Sequence, residues 1–146
     1  ARTQGLEAGL ETRPAKGVRI FGATTWLDTE VRSADYFFST GLAGDKLLRR
    51  PTLTLTLGVE IIPNDDWIFG ASASHLRGRE DYDWNSGSRV SLPDAAFVRV
   101  WIRRVLSDKT ELSLRIENLF GEDAPPAALG FGAQPRSAYV GLTRKF

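Results

Sequence analysis

The single histidine restricts the catalytic chemistry available to this sequence. A Ser-His-Asp triad or a histidine-containing metal site would have to be built around His75. His75 shares its parity with Phe69, Ala71 and Ala73, on the apolar side of a predicted strand, which is a poor position for catalysis. The chain also contains no cysteine, which excludes thiolate metal ligands and a disulfide framework. We therefore expect no enzyme, no metal site and no cofactor.

One acidic and aromatic segment could bind a ligand. Glu80-Asp81-Tyr82-Asp83-Trp84-Asn85 could coordinate a cation, or could line a ligand site with Tyr82 and Trp84; a solvated loop is the alternative interpretation. The stretch from Ala124 to Ala133 contains no lysine and matches no phosphate-binding loop. Lysine and arginine number 19 against 18 acidic residues, and both signs are scattered. No basic stripe therefore indicates nucleic acid.

Period-two alternation predicts the elements that carry these residues. Leu53, Leu55, Leu57, Val59 and Ile61 alternate strictly with polar residues or glycine, as in a strand with one apolar face. Similar or weaker alternation predicts seven strands and no helix. Their approximate ranges are Gln4 to Glu11, Val18 to Val31, Thr52 to Ile61, Trp67 to Arg77, Val98 to Arg103, Glu111 to Glu117 and Arg136 to Phe146.

The predicted connections alternate in length. Short turns are expected at residues 14–17, 63–66 and 107–109, where Pro, Asn, Asp and Gly gather. Long polar links are expected at residues 32–49, 80–93 and 121–135. A soluble β-domain has no reason to place every long loop at one end, whereas outer-membrane barrels combine short periplasmic turns with long extracellular loops. The pattern predicts an antiparallel transmembrane β-barrel segment.

The second face of the predicted strands is charged. It carries Arg19, Glu60, Arg99, Arg103, Glu111, Arg115 and Glu117. Burying so many charges in a dry core would cost several kcal/mol each unless they are paired. These residues therefore require an aqueous lumen, a polar plug or an internal ion-pair network.

An odd strand number indicates that the barrel is incomplete. Bacterial single-chain barrels have an even number of strands and close to satisfy every backbone group in lipid. With the last predicted strand ending at Phe146, we expect the missing strands to precede Ala1. Residues 1–146 would then form one domain, the C-terminal arc of a larger barrel of about 22 strands.

Several short motifs resemble the C-terminal barrel region of TonB-dependent outer-membrane receptors. The closest is Glu117-Asn118-Leu119-Phe120-Gly121-Glu122, which is similar to the family's Asn-Leu-Phe at the end of the penultimate strand. Gly5-Leu6-Glu7, Thr24 to Thr29, Arg50-Pro51, Leu76 to Arg79 and Val90 to Pro93 resemble other family motifs in the same order. Phe146 resembles the terminal aromatic signal that the barrel-assembly machinery reads, although Arg144 stands where an apolar residue is usual.

This resemblance implies a receptor for energy-coupled uptake of a scarce nutrient, such as an iron-siderophore complex, in the outer membrane of a Gram-negative bacterium. Its partners would be outer-membrane lipid, the assembly machinery, and the plug and barrel strands that precede this segment. The TonB complex would act only through that preceding part.

Three alternatives remain open at this point. A complete eight-stranded barrel with a structural or adhesion role requires another strand, for which Tyr36-Phe37-Phe38 is the candidate. An outer-membrane lipid hydrolase requires a serine paired with His75. A soluble β-domain requires the chain to fold without detergent.

Overall fold

A computed structural model describes residues 1–33, 42–125 and 128–146, which form nine β-strands. The strands are β1 (Arg2–Ala15), β2 (Val18–Glu30), β3 (Leu53–Asn64), β4 (Trp67–Arg77), β5 (Arg79–Asp83), β6 (Ser88–Leu92), β7 (Ala95–Ser107), β8 (Thr110–Glu117) and β9 (Ser137–Arg144). Within these ranges no helix is long and apolar enough to cross a membrane.

Seven of the strands form one antiparallel sheet in the order β1-β2-β3-β4-β7-β8-β9. Each strand pairs with the preceding and following member of this series, and β1 and β9 each pair on one side only. These seven strands are the seven that alternation predicts. The sheet is open, which confirms the prediction of an incomplete barrel segment.

The strand register separates an apolar face from a polar face. On the apolar face Leu55 lies between Thr24 and His75, and Ile102 lies between Phe69 and Leu114. The side chains of this face are half-buried or exposed; relative accessibility is 55% for Leu57 and 69% for Leu142. The apolar face is therefore not the core of this chain.

Short connections join the strands at one end of the sheet, here called the turn end. Residues 16–17, 65–66 and 108–109 form the three turns, at the positions that the turn residues predict. Gly17 adopts a φ of 73°, which glycine reaches without a steric penalty. The long connections all lie at the opposite end, the loop end.

The middle long connection differs from the sequence prediction. Residues 80–93 were expected to form a polar link, whereas β5 and β6 pair there as a separate hairpin, with Arg79 opposite Leu92 and Asp83 opposite Ser88. Apolar and polar residues do not alternate along β5, because charged residues lie on both of its faces. The candidate eighth strand at Tyr36-Phe37-Phe38 lies outside the described residues.

The buried residues gather at the loop end, in the long connections and in the strand ends next to them. The most buried apolar residues are Leu92, Ala95, Ala124 and Ala128, and the most buried polar residues are Thr29, Arg79, Asp81 and Asn118. All of them lie in, or next to, the long connections. The loops of this chain thus form its only close-packed region among the described residues.

Candidate functional site

The polar face of the sheet carries the predicted charges, and they are paired. Arg19 lies 2.8 Å from Glu11 and 2.9 Å from Glu60. Glu117 accepts from Arg99 at 2.7 Å and lies 3.0 Å from Arg115. The more distant pair Arg103 and Glu111 is separated by 3.8 Å. The face therefore carries an ion-pair network, one of the three arrangements that could satisfy its charges.

Aromatic side chains also lie on the polar face, which the sequence analysis did not predict. Phe21 lies over Gly58, where an added Cβ would come within 2.2 Å of the ring. Trp101 lies over Gly70, where an added Cβ would come within 1.9 Å of the indole. An aromatic residue directly opposite a glycine on the neighbouring strand is the signal that would have revealed both contacts.

These rings border a groove along the polar face. The groove encloses about 660 Å³ and is lined by Phe21, Phe97, Trp101, Tyr139 and the arginines Arg99 and Arg115, among others. Arg115 lies over the ring of Tyr139 at 4.9 Å, and Arg19 lies over Phe21 at 4.8 Å. Guanidinium groups over rings, beside hydroxyl side chains, make this face suited to polar and aromatic surfaces.

The second part of the site is the loop cluster, the described residues 42–52, 78–94, 118–125 and 128–136. Asp81 of β5 is fully buried. Its carboxylate accepts hydrogen bonds from Arg49 Nε at 2.9 Å, from the Tyr82 amide at 2.8 Å and from the Leu129 amide at 2.6 Å. One side chain therefore joins three segments that are distant in sequence.

Arg79 is the second buried charge of the loop cluster and is 2% exposed. Its guanidinium donates to the carbonyl of Pro93 at 2.5 Å and to the carbonyl of Pro125. No carboxylate pairs with it directly among the described residues, and burial lowers its pKa, while Asp94 and Glu122 oppose that effect. Arg79 thus fixes the base of the β5–β6 hairpin to the last long connection.

The electrostatics of Asp81 keep it ionised. Burial alone would raise the pKa of Asp81, but the hydrogen bonds from Arg49 and from the two backbone amides outweigh it, so that the pKa is lowered. In the sequence, Asp81 belongs to an acidic segment that could coordinate a cation. The structure instead shows its oxygens occupied by donors from the protein, and within the described ranges no cluster of three or more acidic or histidine residues could hold a metal ion.

Tyr82 and Trp84, the candidate ligand-binding residues, lie at the tip of the β5–β6 hairpin. Their rings meet edge to face at 4.9 Å. The Tyr82 hydroxyl donates to the carbonyl of Gly87 at 2.9 Å, so the phenol fixes the turn. Trp84 is 74% exposed. The hairpin therefore presents an indole to its surroundings from a rigid support.

Asn118, within the motif that resembles the receptor family, anchors the last long connection. Its amide nitrogen donates to the carbonyls of Glu122 and Gln134 at 2.7 and 2.8 Å, and its oxygen accepts from the Glu122 amide at 2.8 Å. Its φ is 49°, a conformation that asparagine tolerates better than most residues.

His75 and Phe146, the two remaining residues singled out from sequence, lie outside the loop cluster. His75 lies on the apolar face, opposite Leu55 and Ala96, as its parity predicts. β9 ends at Arg144, two residues before Phe146, because β8 begins opposite Arg144 and offers no further strand residue to pair with. The Phe146 ring is fully exposed and lies 5.8 Å from the Arg144 guanidinium.

Comparison with known proteins identifies the fold. No protein-family model matches the sequence, and no curated protein matches it significantly. Solved structures do match over 99% of this chain. A point variant of the ferric enterobactin receptor PfeA of Pseudomonas aeruginosa, in complex with enterobactin, is 22% identical with a TM-score of 0.79.

Two further receptors match at similar levels. The ferric-catecholate import receptor Fiu of E. coli K12 is 16% identical with a TM-score of 0.78. The pyoverdine outer membrane receptor FpvA of Pseudomonas aeruginosa PAO1, bound to pyoverdine, is 19% identical with a TM-score of 0.71. The chain spans about a fifth of the length of these structures, 22%, 21% and 21% respectively.

These matches show that the chain has the fold of a barrel segment of TonB-dependent siderophore receptors, as the sequence motifs predict. The similar structures are receptors and not enzymes. They do not favour the alternative of a complete eight-stranded barrel, because the matched chains are about five times as long as this segment.

Proposed function

We propose that residues 1–146 form the C-terminal part of the barrel of a TonB-dependent receptor, which takes up an iron-siderophore complex across the outer membrane of a Gram-negative bacterium. The observation that carries this proposal is the match of 99% of the chain to receptors of ferric enterobactin and pyoverdine. The order of the family-like motifs supports the C-terminal placement.

The distribution of exposed side chains supports a membrane location. Leu6, Leu10, Leu57 and Leu142 share the apolar face, and each is between 55% and 69% exposed. At about 25 cal/mol per Å² of apolar surface, leaving such a face in water would be strongly unfavourable. A hydrocarbon phase covers it without requiring a second protein layer.

The topology supports one orientation. Short turns lie on the periplasmic side of outer-membrane barrels and long loops lie outside, so the turn end would face the periplasm and the loop cluster the exterior. The polar face would then line the lumen and contact a plug domain. The TonB complex would act on that plug and not on residues 1–146. The barrel-assembly machinery would read Phe146.

The hairpin tip is the proposed contact with the siderophore. Trp84 is exposed on a hairpin that Asp81 and Arg79 hold at its base, and a rigid aromatic residue loses little entropy on binding. The Tyr82 ring packs edge to face against the Trp84 indole. We therefore assign ligand contact to Trp84 and a positioning role to Tyr82.

The test is siderophore binding by the full-length protein in detergent, with Trp84→Ala and the control Trp26→Ala. Trp26 is a half-exposed tryptophan on the apolar face. We expect ferric catecholate binding to weaken about 30-fold in Trp84→Ala, the loss of about 2 kcal/mol typical of one aromatic hot spot, and to remain unchanged in Trp26→Ala. Absence of ferric siderophore binding, together with absence of TonB-dependent iron uptake, would refute the proposed function. Equal affinities for the two variants would refute the role of Trp84 alone.

A further inference from the structure

The apolar face ends differently at its two borders. At the loop end its arginines are matched by carboxylates. Arg2 and Arg32 pair with Glu30 at 3.9 and 3.3 Å, and Arg77 pairs with Asp94 at 3.8 Å. Each of these three arginines has a carboxylate partner, and Arg2 and Arg32 share Glu30.

The turn end of the same face carries two arginines without carboxylate partners. Arg104 lies directly opposite Trp67 in the register, and Arg144 lies opposite Thr110. Among the described residues, neither guanidinium forms an ion pair; each lies over an aromatic ring, Arg104 over Trp67 at 4.8 Å and Arg144 over Phe146 at 5.8 Å.

Acidic residues are present at the turn end but do not neutralise these arginines. Asp65, Asp66 and Asp108 lie in the turns, and none of them forms an ion pair with Arg104 or Arg144. The two arginines thus have no carboxylate partner at this border.

The surroundings of the two arginines combine charge with apolar surface. Leu112 lies directly opposite both Arg104 and Leu142 in the sheet. Leu112 is 39% exposed and Leu142 is 69% exposed. A guanidinium that lies over a ring keeps its N–H donors at the edge of its plane, where they can reach a phosphate.

We propose that Arg104 and Arg144 bind headgroup phosphates of anionic phospholipids, whose acyl chains lie along Leu112 and Leu142. The inference rests on the proposed function, since it requires the apolar face to lie in a membrane. Charge complementarity selects this occupant: two unpaired cations at the border of an apolar surface match a phosphate at the border of a hydrocarbon phase. The arginines at the loop end already pair with carboxylates and offer no such match.

The experiment measures lipid binding by the detergent-purified full-length protein in native mass spectrometry. The probes are dioctanoyl-phosphatidylglycerol, dioctanoylglycerol as the analogue without phosphate, and inorganic phosphate as a competitor. The test variant is Arg104→Gln/Arg144→Gln. The control is Arg2→Gln/Arg77→Gln, which removes two paired arginines from the same face.

We expect the unsubstituted protein to retain phosphatidylglycerol in preference to dioctanoylglycerol. The test variant should bind phosphatidylglycerol about 30-fold more weakly, because each basic residue near an anionic lipid surface contributes a factor of about five. The control should bind as the unsubstituted protein does. Millimolar inorganic phosphate should not displace the lipid, since it lacks the acyl chains.

Four results would overturn the inference. The first three are equal retention of the two lipids by the unsubstituted protein, unchanged phosphatidylglycerol binding by the test variant, and a loss of phosphatidylglycerol binding in the control as large as in the test variant. The fourth is displacement of phosphatidylglycerol by inorganic phosphate, which would indicate an anion site without lipid contact. If the test variant fails to fold, as judged by heat-dependent gel mobility, the comparison of the two lipids on the unsubstituted protein decides. Siderophore binding without any phosphatidylglycerol preference would refute this inference and leave the proposed function intact.

Discussion

Substituting Asp81 by asparagine tests the loop cluster most sharply. The change keeps the size of the side chain but removes its charge and one of its two acceptor oxygens. Asp81 Oδ1 serves Arg49 and Tyr82, and Oδ2 serves Leu129. In either orientation of the asparagine amide, at least one of these donors loses its acceptor.

The magnitude follows from the exposure of the partners. The Arg49 side chain is 51% exposed, so solvent screening limits the ion pair to about 1 kcal/mol. A backbone amide left without an acceptor in this buried position costs about 1 to 3 kcal/mol. The opening of the loop cluster should therefore become easier by about 2 to 4 kcal/mol, which corresponds to about 30- to 900-fold in an opening equilibrium.

Hydrogen exchange measured by mass spectrometry on the full-length protein provides the assay. Peptides that cover β5 and residues 128–131 should exchange faster by that factor in Asp81→Asn, while peptides of β3 should not change. The control is Asp83→Asn at the exposed hairpin tip, where the carboxylate serves Asn85 and Ser86. Unchanged exchange in Asp81→Asn, or an equal effect in Asp83→Asn, would refute the assignment of Asp81 as the residue that joins the loops.

Three further predictions concern other parts of the chain. Gly70→Val should lower the thermal midpoint of the barrel, measured by heat-dependent gel mobility. A Cβ at Gly70 would meet Trp101 at 1.9 Å, and such overpacking costs about 1 to 3 kcal/mol. An unchanged midpoint would contradict the contact between Gly70 and Trp101. Asn118→Ala removes three hydrogen bonds of about 1 kcal/mol each, so proteolysis of residues 119–136 should accelerate by about 100-fold, whereas Asn85→Ala at the hairpin tip should change little. The pKa of Asp81 in the folded protein lies below its ordinary value of 3.8. The stabilisation that ionised Asp81 provides should therefore be complete above pH 3.8 and be lost only as the pH falls through the lower folded pKa. Hydrogen exchange of β5 that already accelerates between pH 7 and pH 5, after correction for intrinsic rates, would contradict this pH dependence.

The sheet could be predicted from sequence because its faces differ in polarity at every position. The alternation of Leu53, Leu55 and Leu57 with threonine specifies a strand with one apolar face, and a slip of one residue would exchange the two faces. Turn residues such as Gly17 then specify which strands are joined closely. Local patterns of this kind require no knowledge of distant contacts.

The interior of the loop cluster could not be predicted in the same way. Arg79 and Asp81 are charged, and charged residues are almost always exposed unless they are paired. Their burial depends on partners from other long connections, Arg49, Pro93 and Leu129, which no local pattern brings together. The β5–β6 hairpin could not be predicted for the same reason. The side chains of β5 pack against other loops and not against one apolar surface, so apolar and polar residues do not alternate along this strand.

The most direct test of the central claim is a scan of β3 with spin labels in the full-length protein, reconstituted in lipid vesicles. Single cysteines would be introduced at positions 53 to 59, which is convenient because this segment contains no cysteine. We predict that labels at Leu55, Leu57 and Val59 are accessible to oxygen dissolved in the bilayer, and that labels at Thr54 and Thr56 are accessible to a water-soluble nickel reagent. Uniform access of the nickel reagent at all of these positions would contradict a membrane barrel.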